Sequence, residues 1–271
     1  GTQAGKAVTT GVSNTLVGGN AGDALTDADH NTAVGGGALT SDTLGSKSTA
    51  LGKNALYTQN FTTATDSFNV AVGHEAGLLI TTGVNNTLIG AIAGDALTDG
   101  LKNVAVGQNA LGADTQGDNS VAIGSNALCT QNGTNGNVYN VAVGANAGFA
   151  MTTGTENVLI GGLAGDALTT GSYNVAVGFE ALSTEDGHGN NVAVGNRALK
   201  TLNAGAAGLN VAVGDDAGTA LTTGLYNTLV GALAGTALTD ADTNVAFGNA
   251  AIRADTLGSK SVAIGSKALF T

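Results

Sequence analysis

Three histidines, one cysteine and twenty carboxylates are the groups in this sequence with catalytic or metal-binding potential. Nucleophilic catalysis needs a nucleophile, a base and an orienting acid brought together. His30, His74 and His188 fall at different places in their local sequence, and Cys129 stands in no recognisable spacing to any of them, so no triad is predicted. A single cysteine supplies neither a disulfide framework nor a thiolate metal cluster, and Cys129 reads as a small apolar packing residue. The pairs Asp27/Asp29, Asp215/Asp216, Glu185/Asp186 and Asp240/Asp242 are of the type that cleaves glycosides, which requires two carboxyls facing one cleft. With 4% aromatics to stack a sugar ring, the chain is not read as a hydrolase. Thr-Asp-Ala-Asp at 26–29 and 239–242 offers oxygen ligands for calcium, the one candidate in a chain otherwise expected to need no cofactor. Leu44-Gly45-Ser46-Lys47-Ser48 has the look of a phosphate loop, but it recurs as Leu257-Gly258-Ser259-Lys260-Ser261 without the flanking strand and long helix, and reads as a turn. The Thr pairs 81–82, 152–153, 169–170 and 222–223 would suit an ice-ordering array, were they not interrupted by intervening coils. The expectation is a protein that is not an enzyme.

Composition says what must position these residues. The 271-residue chain has 44 Gly, no Pro and 11% charged residues, yet 42% are hydrophobic. Collagen is excluded by the missing Pro and triplet period, and disorder by the apolar content, which leaves periodic turns. A net charge of −11 argues against nucleic acid and anionic membrane surfaces. No apolar run approaches the ~20 residues of a membrane span, so membrane insertion is not expected. The sequence opens inside a repeat and stops inside one, which predicts a fragment of a longer chain.

Fifteen units begin Asn/Ser-Val/Thr-Ala/Leu-Val/Ile-Gly, most of them 17 residues apart. The fifth position is always Gly, as at Gly18, Gly73, Gly90, Gly144, Gly161, Gly214 and Gly231. The eighth is always Ala, as at Ala21, Ala76, Ala93, Ala147, Ala164, Ala217 and Ala234. In Asn69-Val70-Ala71-Val72-Gly73 the two valines share one face of a pleat and the alanine takes the other. Stacking then sets Val on Val and Ala on Ala, with Gly where the corner needs a positive φ or a close backbone approach. The Ala column should open a second short strand. The first-position Asn can form an amide ladder or simply favour its own turn. This is one all-β domain over 1–271, a parallel β-solenoid of about fifteen coils.

Units of two types alternate, Ala-Gly or Ala-Leu at positions eight and nine, in the order AG, AL, AL, AG. Coils starting at Asn14, Asn86, Asn157 and Asn227 are thereby equivalent, 72, 71 and 70 residues apart, which groups the coils in fours. The third coil of each group is longer, with extra residues at 57–68, 130–139 and 201–209. Insertions in a solenoid map to loops on one face, often a binding face. Tyr57, Phe61, Phe68 and Tyr139 in these loops are the candidate glycan or receptor contacts.

Ser120-Val121-Ala122-Ile123-Gly124-Ser125-Asn126-Ala127 and Ser261-Val262-Ala263-Ile264-Gly265-Ser266-Lys267-Ala268 resemble the head repeat of trimeric autotransporter adhesins. The 17-residue form, as in Asn140-Val141-Ala142-Val143-Gly144-Ala145-Asn146-Ala147-Gly148-Phe149-Ala150-Met151-Thr152-Thr153-Gly154, is similar to repeat regions of bacteriophage tail fibres. The resemblance covers nearly the whole chain. It implies a left-handed β-roll, a homotrimer around one axis, and an extracellular place in a virion tail fibre or cell-surface appendage that binds a host glycan or receptor. The tail-fibre role is preferred, because adhesin heads usually have coils of about fourteen residues. The alternatives are the head of a bacterial adhesin, a polysaccharide-degrading spike and an ice-binding solenoid.

Overall fold

A computed structural model describes residues 1–133 and 136–270, and is all-β. Thr134 and Asn135, in the middle of the second insertion, lie outside the described residues, as does Thr271. Among the described residues there is no helix, hence none long and apolar enough to cross a membrane. The chain packs as two compact units, Gly1–Tyr139 and Asn140–Thr271. Both are parallel β-solenoids with coils of about 17 residues, and together they supply about fifteen coils.

In the first unit seven three-residue strands pair in parallel in chain order: Thr15–Val17, Thr32–Val34, Thr49–Leu51, Val70–Val72, Thr87–Ile89, Val104–Val106 and Val121–Ile123. In the second, eight do the same: Val141–Val143, Val158–Ile160, Val175–Val177, Val192–Val194, Val211–Val213, Thr228–Val230, Val245–Phe247 and Val262–Ile264. The register sets like on like, with Val175 beside Val192, Ala176 beside Ala193 and Val177 beside Val194. Middle residues such as Ala71, Leu88, Ala142 and Leu159 are fully buried, whereas their flanking residues point outward. Alanine lines the core and the β-branched residues face out.

A narrow coil explains this assignment. Coils with Gly at position nine carry a buried Leu, Ile or Met at position twelve, as at Leu97, Ile80 and Met151. A Cβ on Gly94 would lie 2.8 Å from Leu88 Cδ2 and 3.0 Å from Leu97 Cδ1, so glycine stands there because two leucines already fill the space. Coils with Leu at nine, such as those of Leu39, Leu111 and Leu182, reverse the arrangement. Each of these leucines takes a positive φ (53°, 55° and 55°), a cost for a branched side chain that its complete burial offsets.

The alanine column does not open a second strand. Ala147 and its equivalents sit in a turn, closed by Ala147 N–H donating to the Gly144 carbonyl. Coil-to-coil bonds such as Gly148 N–H to Ala164 O continue the stack there without extended geometry. The insertions also differ from free loops. In 57–68, Thr65–Asp66 pairs with Gly45–Ser46, and Asn60 N–H reaches the Thr81 carbonyl, so residues 62–64 are left as the exposed tip. Gly136–Asn137 pairs likewise with Gly117–Asp118.

Candidate functional site

The first-position asparagines, all buried except the half-buried Asn14, form an amide ladder that runs from Asn140 to Asn244 in the second unit and is interrupted at Ser48 and Ser120 in the first. Asn86 N–H and Asn86 Nδ2 both donate to Asn69 Oδ1, at 2.9 and 3.3 Å. Asn86 Nδ2 also reaches the Gly100 carbonyl at 2.8 Å, and Asn86 Oδ1 accepts Asn103 N–H at 2.9 Å. One side chain thus satisfies backbone groups of the next coil that would otherwise be buried without partners.

Where Ser48 replaces Asn, a residue that sequence reasoning overlooked repairs the ladder. Gln59 Nε2 donates to Ser48 Oγ (2.8 Å) and Asp42 Oδ2 (2.6 Å), and Gln59 Oε1 accepts Asn69 Nδ2 (2.9 Å) in place of the missing amide. Gln131 does the same for Ser120 and Asp114. Both carboxyls are fully buried, and burial pushes each above the ordinary aspartate range against the pull of the glutamine and backbone N–H bonds. The signal was present in the sequence. Gln59 and Gln131 follow Ser48 and Ser120 by eleven residues, while Asn191, which keeps its own amide, is followed at that distance by Leu202.

In that third instance the buried acid is Glu185, whose carboxyl is again raised by burial. Its Oε1 accepts His188 N–H and faces His188 Nδ1, both at 3.1 Å, and its Oε2 accepts Ala204 N–H. Glu185, Asp186 and His188 form a group of three potential metal ligands among the described residues, and the first of them is already saturated by internal hydrogen bonds. His74 lies 3.7 Å from Glu75, and His30 occupies a corner with φ of 59°.

The calcium candidates are turned back onto the preceding coil. Asp29 Oδ1 accepts Val12 N–H at 2.7 Å, and Asp242 Oδ1 accepts Leu225 N–H at 2.8 Å. Asp240 Oδ1 accepts the Thr222 and Thr223 hydroxyls, which lowers its proton affinity. The threonine hydroxyls serve the stack as well, Thr81 donating to the Thr98 carbonyl and Thr152 to the Thr169 carbonyl. Cys129 is half-buried, accepts Asn109 Nδ2 at 3.0 Å, and has its thiol pushed up by desolvation, away from a reactive thiolate.

Among the insertion aromatics, Phe61 is buried at 6% exposure and packs against the Asp42–Gly45 turn, so its ring is not offered to a partner. Tyr57, Phe68 and Tyr139 are exposed. Phe68 and Tyr139 belong to a column that sequence reasoning did not single out, the residue preceding the ladder Asn. Tyr173 and Tyr226 occupy the same position in coils without insertions, each 55% exposed. All four rings stand on a corner residue with φ between 49° and 63°. The outward sheet face is the other large apolar surface. Val17, Leu51, Ile89 and Ile123 in the first unit, and Ile160, Val213, Phe247 and Ile264 in the second, are at least 36% exposed.

No family model, no curated protein and no solved structure matches this chain.

Proposed function

We propose that the chain is a structural and adhesive segment of an extracellular fibre, a phage tail fibre that attaches its virion to a host, built as a left-handed β-roll with coils grouped in fours and assembled as a homotrimer. The outward sheet face is what supports this. In the seven-strand sheet two columns of Thr, Val, Leu and Ile run side by side over about 30 Å at strand spacing. Soluble monomers rarely leave a contiguous apolar stripe of several hundred Å² in water, and such stripes mark association surfaces. A second and a third copy of the same flat, regular face would cover it. The interior supports a structural role too, since the buried Asn86, Gln59 and Glu185 side chains bond from one coil to the next. The grouping in fours agrees with where the buried side chains fall, at position nine in Leu39 and Leu56 and at position twelve in Ile80 and Leu97. The exposed rings of Phe68, Tyr139, Tyr173 and Tyr226 are suited to stacking on sugars of a host surface.

Light scattering on the purified chain should give three times the 26.1 kDa chain mass. The double variant Val106→Lys, Val177→Lys places an ammonium on the outward face of each unit and should give the single-chain mass with its β-sheet circular dichroism retained. A wild-type chain that runs at 26.1 kDa in micromolar solution would contradict the assembly.

A further inference from the structure

The coil that precedes the third insertion departs from its own repeat. Its counterparts read Asp42-Thr43-Leu44-Gly45, Asp114-Thr115-Gln116-Gly117 and Asp255-Thr256-Leu257-Gly258, where this one reads Glu185-Asp186-Gly187-His188. In all four the acid accepts the backbone N–H three residues on. A Cβ on Gly45, Gly117 or Gly258 would collide with the carboxylate of that same aspartate. Glu185 makes the turn bond with a longer side chain, and there the glycine's place is taken by an imidazole. Asp186 in turn replaces a threonine whose hydroxyl, at Thr43 and Thr115, donates to the next coil. A carboxylate cannot make that bond, and Asp186 is exposed.

The geometry points to His188 Nε2 and the Asp186 carboxylate as a binding site for a divalent transition metal of the zinc class, with Glu185 as the residue that positions the imidazole. Glu185 Oε1 faces His188 Nδ1 at 3.1 Å, and its side chain is 0% exposed. Its Oε2 accepts Ala204 N–H at 3.1 Å, so the carboxyl is held at both oxygens. A fixed carboxylate against Nδ1 keeps the ring proton on that nitrogen and leaves the Nε2 lone pair for a metal, the support that metal-bound histidines ordinarily have. Nε2 has no protein hydrogen-bond partner among the described residues, and the His188 side chain is 32% exposed. A ring nitrogen of His188 and one oxygen each of Glu185 and Asp186 lie within 4.8 Å of one another, so the exposed Asp186 carboxylate stands beside the imidazole. Imidazole nitrogen with carboxylate oxygen suits zinc, whereas magnesium and calcium take oxygen ligands. Water completes the coordination, as at open zinc sites. His74 lacks this support, since its contact with Glu75 is 3.7 Å, too long for a hydrogen bond that fixes a tautomer.

Long-range ¹H–¹⁵N spectra of the full chain labelled at histidine test the site at pH 7.5. Without metal, His188 should carry its proton on Nδ1. Added zinc chloride should then shift His188 Nε2 saturably below millimolar concentration, ahead of His30 and His74. Binding should be at least tenfold weaker in Asp186→Asn, an exposed change that should leave the circular dichroism of the parent chain. A His188 proton on Nε2 in the metal-free chain would overturn the proposal, as would equal zinc affinity in Asp186→Asn. So would an equal zinc response at His74, an equal His188 response to magnesium, or no shift at His188 up to 1 mM zinc.

Discussion

Gly35→Ala should destabilise the first unit by about 3–5 kcal/mol, while Gly36→Ala, its immediate neighbour, should change stability by less than about 1 kcal/mol in either direction. The two glycines differ in what surrounds them. Gly35 has φ +142°, and a Cβ there would lie 2.3 Å from the Gly52 carbonyl oxygen of the next coil. Both objects are backbone, so no side chain can rotate away. Relief requires the strands Thr32–Val34 and Thr49–Leu51 to separate, which breaks the parallel bonds between them. A Cβ on Gly36 meets nothing within 4 Å. Removing glycine's extra freedom in the unfolded chain then gives a small gain or no change. Chemical denaturation of the two variants followed by circular dichroism measures the difference, and equal midpoints would show that the coils do not approach at the glycine corner.

Asn86→Ala should cost about 3 kcal/mol, against less than about 0.5 kcal/mol for Asn60→Ala. Asn86 is fully buried, and its loss leaves the Gly100 carbonyl and the Asn103 N–H without the partners they have now. Each orphaned group carries a desolvation penalty of about 1–3 kcal/mol, partly relieved by any water that enters. Asn60 is exposed, and its side chain accepts a single bond from the Thr43 hydroxyl. Asn86→Asp separates shape from chemistry. It keeps the acceptor for Asn103 N–H, removes the donor to Gly100 and buries a charge, and should be at least as damaging as alanine at pH 7. A denaturation series in which all three match the parent protein would remove the ladder from the account of stability.

These two expectations also separate what the sequence made legible from what it hid. The coil length, the glycine corner and the asparagine column could be read because each is a strict periodic constraint on one residue type. Gly35 and Gly52 are invariant for the same reason that a Cβ between them would collide. The facing of the strand was not legible. Hydrophobicity ranks Val above Ala for the interior, yet Ala71 and Ala105 are buried and the valines beside them look outward, because the coil is too thin for a branched pair. The turn at the eighth-position alanine was hidden as well, since a short apolar residue after glycine suits strand and turn alike. The burial of Phe61 and the hidden role of Gln59 share one cause. Both lie in or beside an insertion, where the period that guided every other assignment is broken. For Gln59 the compensation with Ser48 was nonetheless written in the sequence, once Gln131 and Leu202 are set beside it.

A distance between spin labels at Gly19→Cys and Ala91→Cys, in a Cys129→Ser background, tests the stacking most directly. Neither site is crowded: a Cβ at Gly19 meets nothing within 4 Å, and Ala91 is exposed. The two positions are 72 residues apart in sequence and four coils apart in the first unit. In-register coils place them about 19 Å apart with a narrow distribution. A broad distribution centred near about 45 Å, the span of an unstacked chain of that length, would contradict the solenoid.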